Sequence, residues 1–461
     1  MDQKPLLIFL APVQSRSGYG EHSRDILRAL LKIGKYDIKV MPIRWGATPL
    51  NALKSGKDSD ILNLIMKTPQ LPRKPDISIQ LTVPNEFNPG IATFNIGITA
   101  GIETTLCPAP WIEGLNRMNF NIVPSKFAKH VFDNTVFTQK DQAGNIVAQM
   151  KVLKPIHVIF EGADISIYKK DENVPAGIRR TLNNITEDFT FLFVGHWLQG
   201  SLGADRKDIG MLIKVFLETF RNQANPPALL LKTGNNFSHM EEAEVISKIK
   251  HIKSMVEGKL PNIYLLFGEL TAEEMNGLYN HSKVKAHISF TKGEGFGRPL
   301  LEASFSEKPI IVSAWSGHMD FLPPDRAILL PGKVEQVHPS AVWKGVIEPE
   351  SQWFNVNYGF ASNIMKNVWK KYQEYLPQAQ ALGLQNKNDF SFNKMVEELE
   401  KVLDANVPKF STPKQFNLPT LPKLKPINVD TSMVGTTLPK IEPKQEEKKD
   451  EIPTQDNSHS G

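Results

Sequence analysis

The most constraining feature of this sequence is a strand-like apolar run that leads directly into a glycine-rich turn and a helix start. The run covers Val284–Phe290, and the turn and helix start follow over residues 291–303. Glycine adopts backbone conformations closed to other residues and lets main-chain N–H groups approach a ligand, while Pro299 suits the first helical position. The glycines that bracket the turn are Gly293, Gly295 and Gly297. The block therefore predicts a strand, turn and helix of an α/β protein, with a turn suited to an anion or a hydroxyl-rich ligand.

Two carboxylates, those of Glu294 and Glu302, stand on either side of this turn. The spacing predicts that Glu302 lies in the first turn of the helix, where the positive end of the helix dipole favours it. Glu294 precedes the helix and is expected to point into the space that the turn faces. The pair therefore predicts a binding site, with two solvated glutamates on an ordinary α/β turn as the alternative.

Apolar strand patterns alternate with helical patterns along most of the chain, which favours parallel sheets covered by helices on both faces. A first run begins with the strand Leu6–Ala11, and a second begins with Phe189–Gly195. Gly18 and Gly20 are predicted at the turn between the first strand and the first helix, where a purely structural turn is an equal alternative. The sequence thus predicts an α/β chain with two consecutive Rossmann-like halves.

Composition fits a protein of this class and excludes several others. The chain has 461 residues, of which 41% are hydrophobic and 22% charged, so it has room for two or three domains. The apolar run near its start is too short for a transmembrane helix, and no membrane span is expected. The single cysteine, Cys107, rules out an internal disulfide and favours a cytoplasmic protein. A net charge of +5 gives no strong indication of nucleic acid as a partner.

The block from Glu294 to Ala303 resembles the Glu-x7-Glu signature of the retaining GT-B glycosyltransferases of family 4, which includes mannosyltransferase-like members. Further stretches of the chain are similar to elements of the family, and Lys308–Ser313 agrees with them as a buried strand. These stretches are Gly101–Thr105, Trp111–Arg117, Val123–Ala128, Ile156–Asp164, Arg206–Asp208 and Ser316–Leu322. The resemblance covers about residues 5 to 375.

The resemblance implies a GT-B fold, in which two Rossmann-like domains face each other across a cleft, and transfer of a hexose from a nucleoside diphosphate sugar to an acceptor hydroxyl. It implies that Glu294 binds sugar hydroxyls, that Glu302 binds the ribose diol, and that Lys207 with Arg206 stabilises the departing diphosphate. It further implies that the departing phosphate itself helps to deprotonate the acceptor. The remaining residues that it places against the donor or acceptor are Gly18, Gly20, Gly295, Phe296, Gly297 and Arg298.

The resemblance implies no metal and no cofactor, because the two cations replace the Mg²⁺ used by other folds. Its partners would be a nucleotide sugar and a glycan, lipid or other hydroxyl acceptor. One departure concerns the diphosphate site, because His196 and Trp197 follow Gly195 where many members carry an arginine. Two alternatives stay open: a non-catalytic nucleotide-sugar-binding protein of the same fold, and a transferase that modifies hydroxylated bases of nucleic acid.

The predicted domain organisation has four parts. Residues 1–185 form an acceptor-side domain, and residues 186–375 form the nucleotide-sugar-binding domain. Residues 376–404 form helices that cross back to the first domain. Residues 405–461 are rich in proline and charge and are predicted to be a disordered tail that the reaction does not need.

Overall fold

Two parallel sheets, each covered by helices, carry the fold in the computed structural model, which describes residues 4–410 except 69, 72, 198 and 235–240. The elements of the first sheet and its surroundings are β1 (Leu6–Ala11), α1 (Gly18–Ile33), β2 (Asp37–Pro42), α2 (Ser59–Leu62), β3 (Ile77–Leu81), β4 (Phe94–Ile98), α3 (Ala109–Arg117), β5 (Phe120–Val123), α4 (Lys126–Asn134), β6 (Phe137–Lys140), β7 (Ile146–Met150) and β8 (Ile156–Val158).

The chain then continues through the second sheet to three closing helices. These elements are α5 (Ala176–Leu182), β9 (Thr190–Val194), α6 (Ile209–Phe220), β10 (Ala228–Thr233), α7 (Glu242–Ser254), β11 (Ile263–Phe267), α8 (Ala272–Asn280), β12 (Val284–Ser289), α9 (Arg298–Ser304), β13 (Ile310–Ser313), β14 (Ile328–Leu330), β15 (Gly332–Gln336), β16 (Gln352–Val356), α10 (Tyr358–Lys370), α11 (Tyr372–Asp389) and α12 (Phe392–Asn406).

The first sheet has the strand order β2-β1-β3-β4-β5-β8 and the second has β11-β10-β9-β12-β13-β14, with all neighbours parallel. Buried aliphatic and aromatic side chains fill both faces, which explains why these strands read as continuous apolar runs. In the second sheet the strands after β9 are added first on one side, as β10 and β11, and then on the other side, as β12, β13 and β14, so the direction of strand addition reverses between β9 and β12. Such a switch point opens a crevice at the carboxyl ends of the strands, where open α/β sheets bind their ligands.

The chain enters the core of the second domain before the helix α5. Ala163 and Tyr168 pack in the core of the second domain, together with Ile178 and Leu182 of α5. Packing into the second core therefore starts near residue 163, within the segment that the sequence analysis assigns to residues 1–185.

The last two helices belong to different domains. The α11 helix lies against α9 of the second domain, whereas α12 lies against α1 and buries Met395, Leu399 and Leu403 in the first core. The segment between α11 and α12 returns to the first domain next to the segment near Ala163 that leaves it. There the Ala163 N–H donates to the Phe390 carbonyl at 3.1 Å, and the Phe392 N–H donates to the Ala163 carbonyl at 2.7 Å. The predicted boundary at residue 375 falls inside α11, and most of the predicted tail, from residue 411 onwards, lies outside the described residues.

The first domain also contains an antiparallel hairpin, and one local prediction differs from the structure. The hairpin is formed by β6 and β7, has mostly exposed side chains and precedes the short strand β8. Gly18–Gly20 form the first turn of α1 itself, with Ser17 as its N-cap, rather than the turn before it. Within the described ranges, no helix is both long enough and apolar enough to cross a membrane.

Candidate functional site

The loops that leave β9 and β12 bring three of the predicted site residues together at the switch point of the second sheet. Arg206 and Lys207 lie in the loop before α6, and Glu294 lies in the turn before α9. The Lys207 Nζ forms an ion pair with the Glu294 Oε1. The Arg206 Nη1 lies 3.4 Å from the other oxygen of Glu294 and donates to the Gly293 carbonyl at 2.8 Å. Two cations and one carboxylate therefore converge in the crevice where the fold places a ligand.

Burial and charge act against each other within this cluster. Burial disfavours the ionised Glu294 carboxylate, but the charges of Lys207 and Arg206 outweigh it and lower its pKa to about 2. Burial lowers the pKa of the Lys207 ammonium, and the nearby Glu294 offsets part of that shift. Burial also acts to lower the pKa of Arg206. The negative charges of Glu103 and Glu294 outweigh burial, so the pKa of Arg206 is raised. At neutral pH the Glu294 carboxylate is therefore an ionised hydrogen-bond acceptor.

The glycines of the turn are required by contact with the first domain. A methyl group on Gly293 would lie 1.9 Å from the Glu103 carbonyl oxygen, and one on Gly295 would lie 2.2 Å from the Ala100 carbonyl oxygen. The Ser125 hydroxyl also donates to the Gly295 carbonyl at 2.5 Å. The close backbone approach that the sequence predicts for a ligand is thus made here by the main chain of the first domain.

That contact brings a further carboxylate to the cluster. Glu103 follows β4 in the first domain, and its Oε1 lies 3.6 Å from the Arg206 Nη2. The sequence resemblance covers Glu103 but assigns it no role. Its placement depends on how two domains meet, which no local pattern in the sequence records.

Arg298 and Glu302 form a second cluster that also crosses the cleft. Arg298 donates from Nε to the Glu302 Oε1 at 2.9 Å, and its Nη1 pairs with Asp25 of α1. Burial raises the pKa of the nearby Glu161 to about 8, with Arg298 opposing the shift and Asp25 and Glu302 adding to it. Sequence reasoning missed Asp25 because its partner, Arg298, lies in the other half of the chain. Glu161 lies in the family-like stretch Ile156–Asp164, but the resemblance gives it no role.

Helix α9 begins one residue earlier than Pro299 predicts. Arg298 is its first residue and Gly297 is its N-cap, with φ of 98°. Glu302 is consequently the fifth helical residue and lies outside the first turn, so its carboxylate is held by Arg298 and by the Tyr279 hydroxyl at 3.4 Å rather than by the helix end. The position is still buried, with 7% of the residue exposed.

A buried ion pair supports the loop that carries the two cations. The Lys292 Nζ lies 3.3 Å from the Asp208 Oδ2, both side chains are fully buried, and the Tyr358 hydroxyl donates to the same oxygen at 2.6 Å. Asp208 is the residue before α6, with φ of 52°, and its side chain makes no capping hydrogen bond to the helix. Lys292 was missed, although a lysine directly after a buried strand is an unusual signal.

The other predicted binding residues are spread around the cleft. Phe296 is buried against Phe321, with ring centroids 5.0 Å apart, so its side chain serves packing. Gly20 lies against the Ser15 carbonyl, whereas Gly18 has no atom within 4 Å of the position a methyl group would take. Between them, the Tyr19 hydroxyl accepts from the Ala100 N–H at 3.2 Å, which ties this helix start to the loop that carries Glu103.

Among the described residues, no group of three or more histidine, cysteine, aspartate or glutamate side chains could hold a metal ion. The positive charge at the switch point comes from Arg206 and Lys207. These side chains can bind an anionic group directly.

Comparison with known proteins reveals likeness in structure rather than in sequence. No family model and no curated protein matches the chain. A glycosyltransferase from Rickettsia africae ESF-5 has a TM-score of 0.57 at 13% identity, over 88% of this chain and 100% of that one. Sucrose-phosphate synthase from Thermosynechococcus elongatus has a TM-score of 0.55 at 13% identity, over 87% of this chain and 99% of that one.

A third similar structure is Anabaena HepE in complex with UDP and glucose, with a TM-score of 0.53 at 14% identity, over 87% of this chain and 100% of that one. All three share with this chain the two α/β domains on either side of a cleft. The GT-B fold that the sequence resemblance implies is therefore confirmed. At such identities the likeness concerns the fold, and activity has to be argued from the site.

Proposed function

We propose that this protein is a retaining glycosyltransferase of the family 4 type, which moves a hexose from a nucleoside diphosphate sugar to an acceptor hydroxyl. The observation that carries the proposal is the convergence of Lys207, Arg206 and Glu294 at the switch point of the second sheet. Two cations beside an ionised carboxylate suit a ligand with both a diphosphate and sugar hydroxyls. Support comes from the GT-B fold and from the HepE structure, which holds UDP and glucose.

In this proposal Lys207 and Arg206 bind the diphosphate and stabilise the negative charge that grows on it as the sugar leaves. Both side chains are largely buried, with 13% and 14% of their areas exposed, so water screens their charges weakly. A fixed pair of buried cations needs little reorganisation when the bond breaks, which is the condition for transition-state stabilisation.

Glu294 accepts hydrogen bonds from hydroxyls of the transferred sugar and so fixes the anomeric carbon beside the cations. Its low pKa supports this role, because a carboxylate that stays ionised accepts hydrogen bonds but holds no proton to donate. Glu302 is proposed to bind the ribose diol, sharing its carboxylate with Arg298. The amides of residues 296–298 and the region of Gly18 and Gly20 are proposed to contact the sugar, the phosphates or the acceptor.

Replacing Glu294 by glutamine or Lys207 by alanine is expected to reduce turnover by a factor of about ten to a thousand, because each change removes a contact that strengthens in the transition state. The measurement is nucleotide release from a panel of UDP-glucose, UDP-N-acetylglucosamine and GDP-mannose. Circular dichroism should show an unchanged fold.

Matched controls for these variants lie on the exposed face of the helix that follows the site. Lys214 and Glu218 form a surface ion pair on α6 at 3.0 Å. Lys214→Ala and Glu218→Gln should turn over donor like the wild type. Wild-type turnover in both Glu294→Gln and Lys207→Ala would contradict the assignment of the donor site, and a wild-type chain inert on every donor would favour a non-catalytic binding protein.

Activity is expected to survive treatment with EDTA, because Arg206 and Lys207 can supply the positive charge that a divalent cation supplies elsewhere. Nucleotide release should be measured before chelation, after chelation and after addition of Mn²⁺. Full loss on chelation with recovery in Mn²⁺ would show that the diphosphate is held by a metal, and the two cations would then need another role.

The acceptor is proposed to be a hydroxyl of a glycan, a lipid or another small molecule. Transfer to hydroxylated bases of nucleic acid remains an alternative that salt dependence can separate, since binding to a duplex weakens steeply as salt rises. A gel-shift titration against duplex DNA at two salt concentrations makes that comparison.

A further inference from the structure

We propose that Glu103 is the catalytic base, which takes the proton of the acceptor hydroxyl in place of the departing phosphate. The inference rests on the proposed function and assigns a further residue to the same site. Glu103 belongs to the acceptor-side domain, yet its carboxylate reaches the cations of the other domain, with Oε1 3.6 Å from the Arg206 Nη2. It therefore lies where an acceptor bound by the first domain would meet the donor bound by the second.

Of the three carboxylates near the cations, Glu103 has the most exposed side chain. Glu294 is bound by both Lys207 and Arg206, and only 11% of its side chain is exposed. Asp208 is fully buried beneath the loop against Lys292. The side chain of Glu103 is 30% exposed, so it can reach an acceptor and return a proton to solvent.

The loop that carries Glu103 is held firmly at both ends, as a catalytic group requires. On one side, the Tyr19 hydroxyl accepts from the Ala100 N–H at 3.2 Å. On the other side, Thr105 exchanges two hydrogen bonds with Gln352 of the second domain, each 2.9 Å long. Gly101 turns the chain between them with φ of 88°, a conformation that favours glycine.

Transfer of the sugar forms one bond and breaks one. The acceptor oxygen forms a bond to the anomeric carbon, while the bond between that carbon and the diphosphate oxygen breaks. The diphosphate keeps the electron pair, and Arg206 and Lys207 stabilise it. The acceptor proton passes to the Glu103 carboxylate and later to water.

The position of Glu103 also bears on stereochemistry. Arg206 is proposed to hold the leaving diphosphate, and Glu103 lies beside the same guanidinium. The base and the leaving group are then on one face of the sugar. Attack from the leaving-group face retains the anomeric configuration, whereas an inverting enzyme needs its base on the opposite face.

Azide separates a catalytic base from a residue that only positions Arg206, because azide attacks carbon without losing a proton. The experiment uses full-length protein and the most active donor of the UDP-glucose, UDP-N-acetylglucosamine and GDP-mannose panel. In Glu103→Ala, nucleotide release with water as acceptor should fall by about a hundredfold to ten-thousandfold. Sodium azide should restore release and yield a glycosyl azide with the configuration of the donor.

Glu103→Gln should show the same loss and the same rescue, while Glu113→Ala, on the exposed face of α3, should behave like the wild type. Nucleotide affinity, measured by isothermal titration, should stay unchanged in the Glu103 variants. Weakened affinity without azide rescue would assign Glu103 to positioning Arg206 and overturn the inference. Wild-type release in Glu103→Ala would overturn the inference alone, whereas a wild-type chain that turns over no donor would overturn the proposed function together with it.

Discussion

A chain that ends at Tyr375 is expected to lose most of the stability of its first domain, whereas a chain that ends at Phe410 should fold like the full-length protein. The shorter chain lacks α12, whose Met395, Leu399 and Leu403 are at most 2% exposed in the first core. It also lacks Leu382 of α11, which is fully buried in the second core. The three side chains of α12 contribute roughly 4.5–9 kcal/mol to the first core at about 1.5–3 kcal/mol each, which is comparable with the roughly 5–15 kcal/mol that stabilises a whole domain.

Thermal midpoint, nucleotide affinity and turnover should be measured for both chains and for the full-length protein. The end point at Phe410 is chosen because this residue packs against the first core, beyond the last residue of α12. The point variant Leu399→Ala is a milder form of the same test and should lower the free energy of unfolding by about 2–5 kcal/mol. If the chain ending at Tyr375 matched the full-length protein in all three measurements, the prediction that α11 and α12 stabilise the two cores would be wrong.

The sequence predicts buried strands better than exposed ones for a physical reason. Strands such as β9, β10 and β13 are buried on both faces, so each carries several consecutive apolar residues. The hairpin of β6 and β7 has mostly exposed side chains on both faces and therefore no hydrophobic pattern to detect.

The sequence likewise predicts some residues of the candidate site and not others. Glu294, Arg206 and Lys207 could be found because each stands in a turn next to a buried strand or helix of one domain. Glu103 and Asp25 could not, since their partners, Arg206 and Arg298, lie in the other domain and are brought close by domain packing alone. Local sequence patterns thus predict the parts of the site but not the contacts across the cleft.

Lys292 and Asp208 form a buried ion pair next to the loop that carries Arg206 and Lys207. Replacing Lys292 by methionine leaves the Asp208 carboxylate buried without its counter-charge. Removing one partner of a buried ion pair costs about 3–5 kcal/mol of unfolding free energy. Because Arg206 and Lys207 directly precede Asp208, and the Lys292 N–H donates to the Arg206 carbonyl at 2.8 Å, turnover should fall as well.

The loss of stability in Lys292→Met should depend on pH. Burial raises the pKa of Asp208, and Lys292 now opposes that shift, so removing the lysine should raise the pKa further. A carboxyl whose folded pKa is raised destabilises the fold once pH exceeds its unfolded pKa, and increasingly so as pH rises towards the folded value. The variant should therefore be less destabilised at pH 5 than at pH 8, as urea unfolding at the two pH values would show.

The double variant Lys292→Met with Asp208→Asn distinguishes a lost charge balance from a simple packing defect. Asparagine tolerates the left-handed backbone that Asp208 adopts, with φ of 52°, and its neutral amide needs no counter-charge. The double variant should regain part of the stability lost in Lys292→Met and should lose the pH dependence, while Lys333→Met, at an exposed position of β15, should leave stability unchanged. A double variant less stable than Lys292→Met at pH 8 would contradict this account. It would mean that Asp208 stabilises the loop of Arg206 and Lys207 through its hydrogen bond from Tyr358 rather than through its charge.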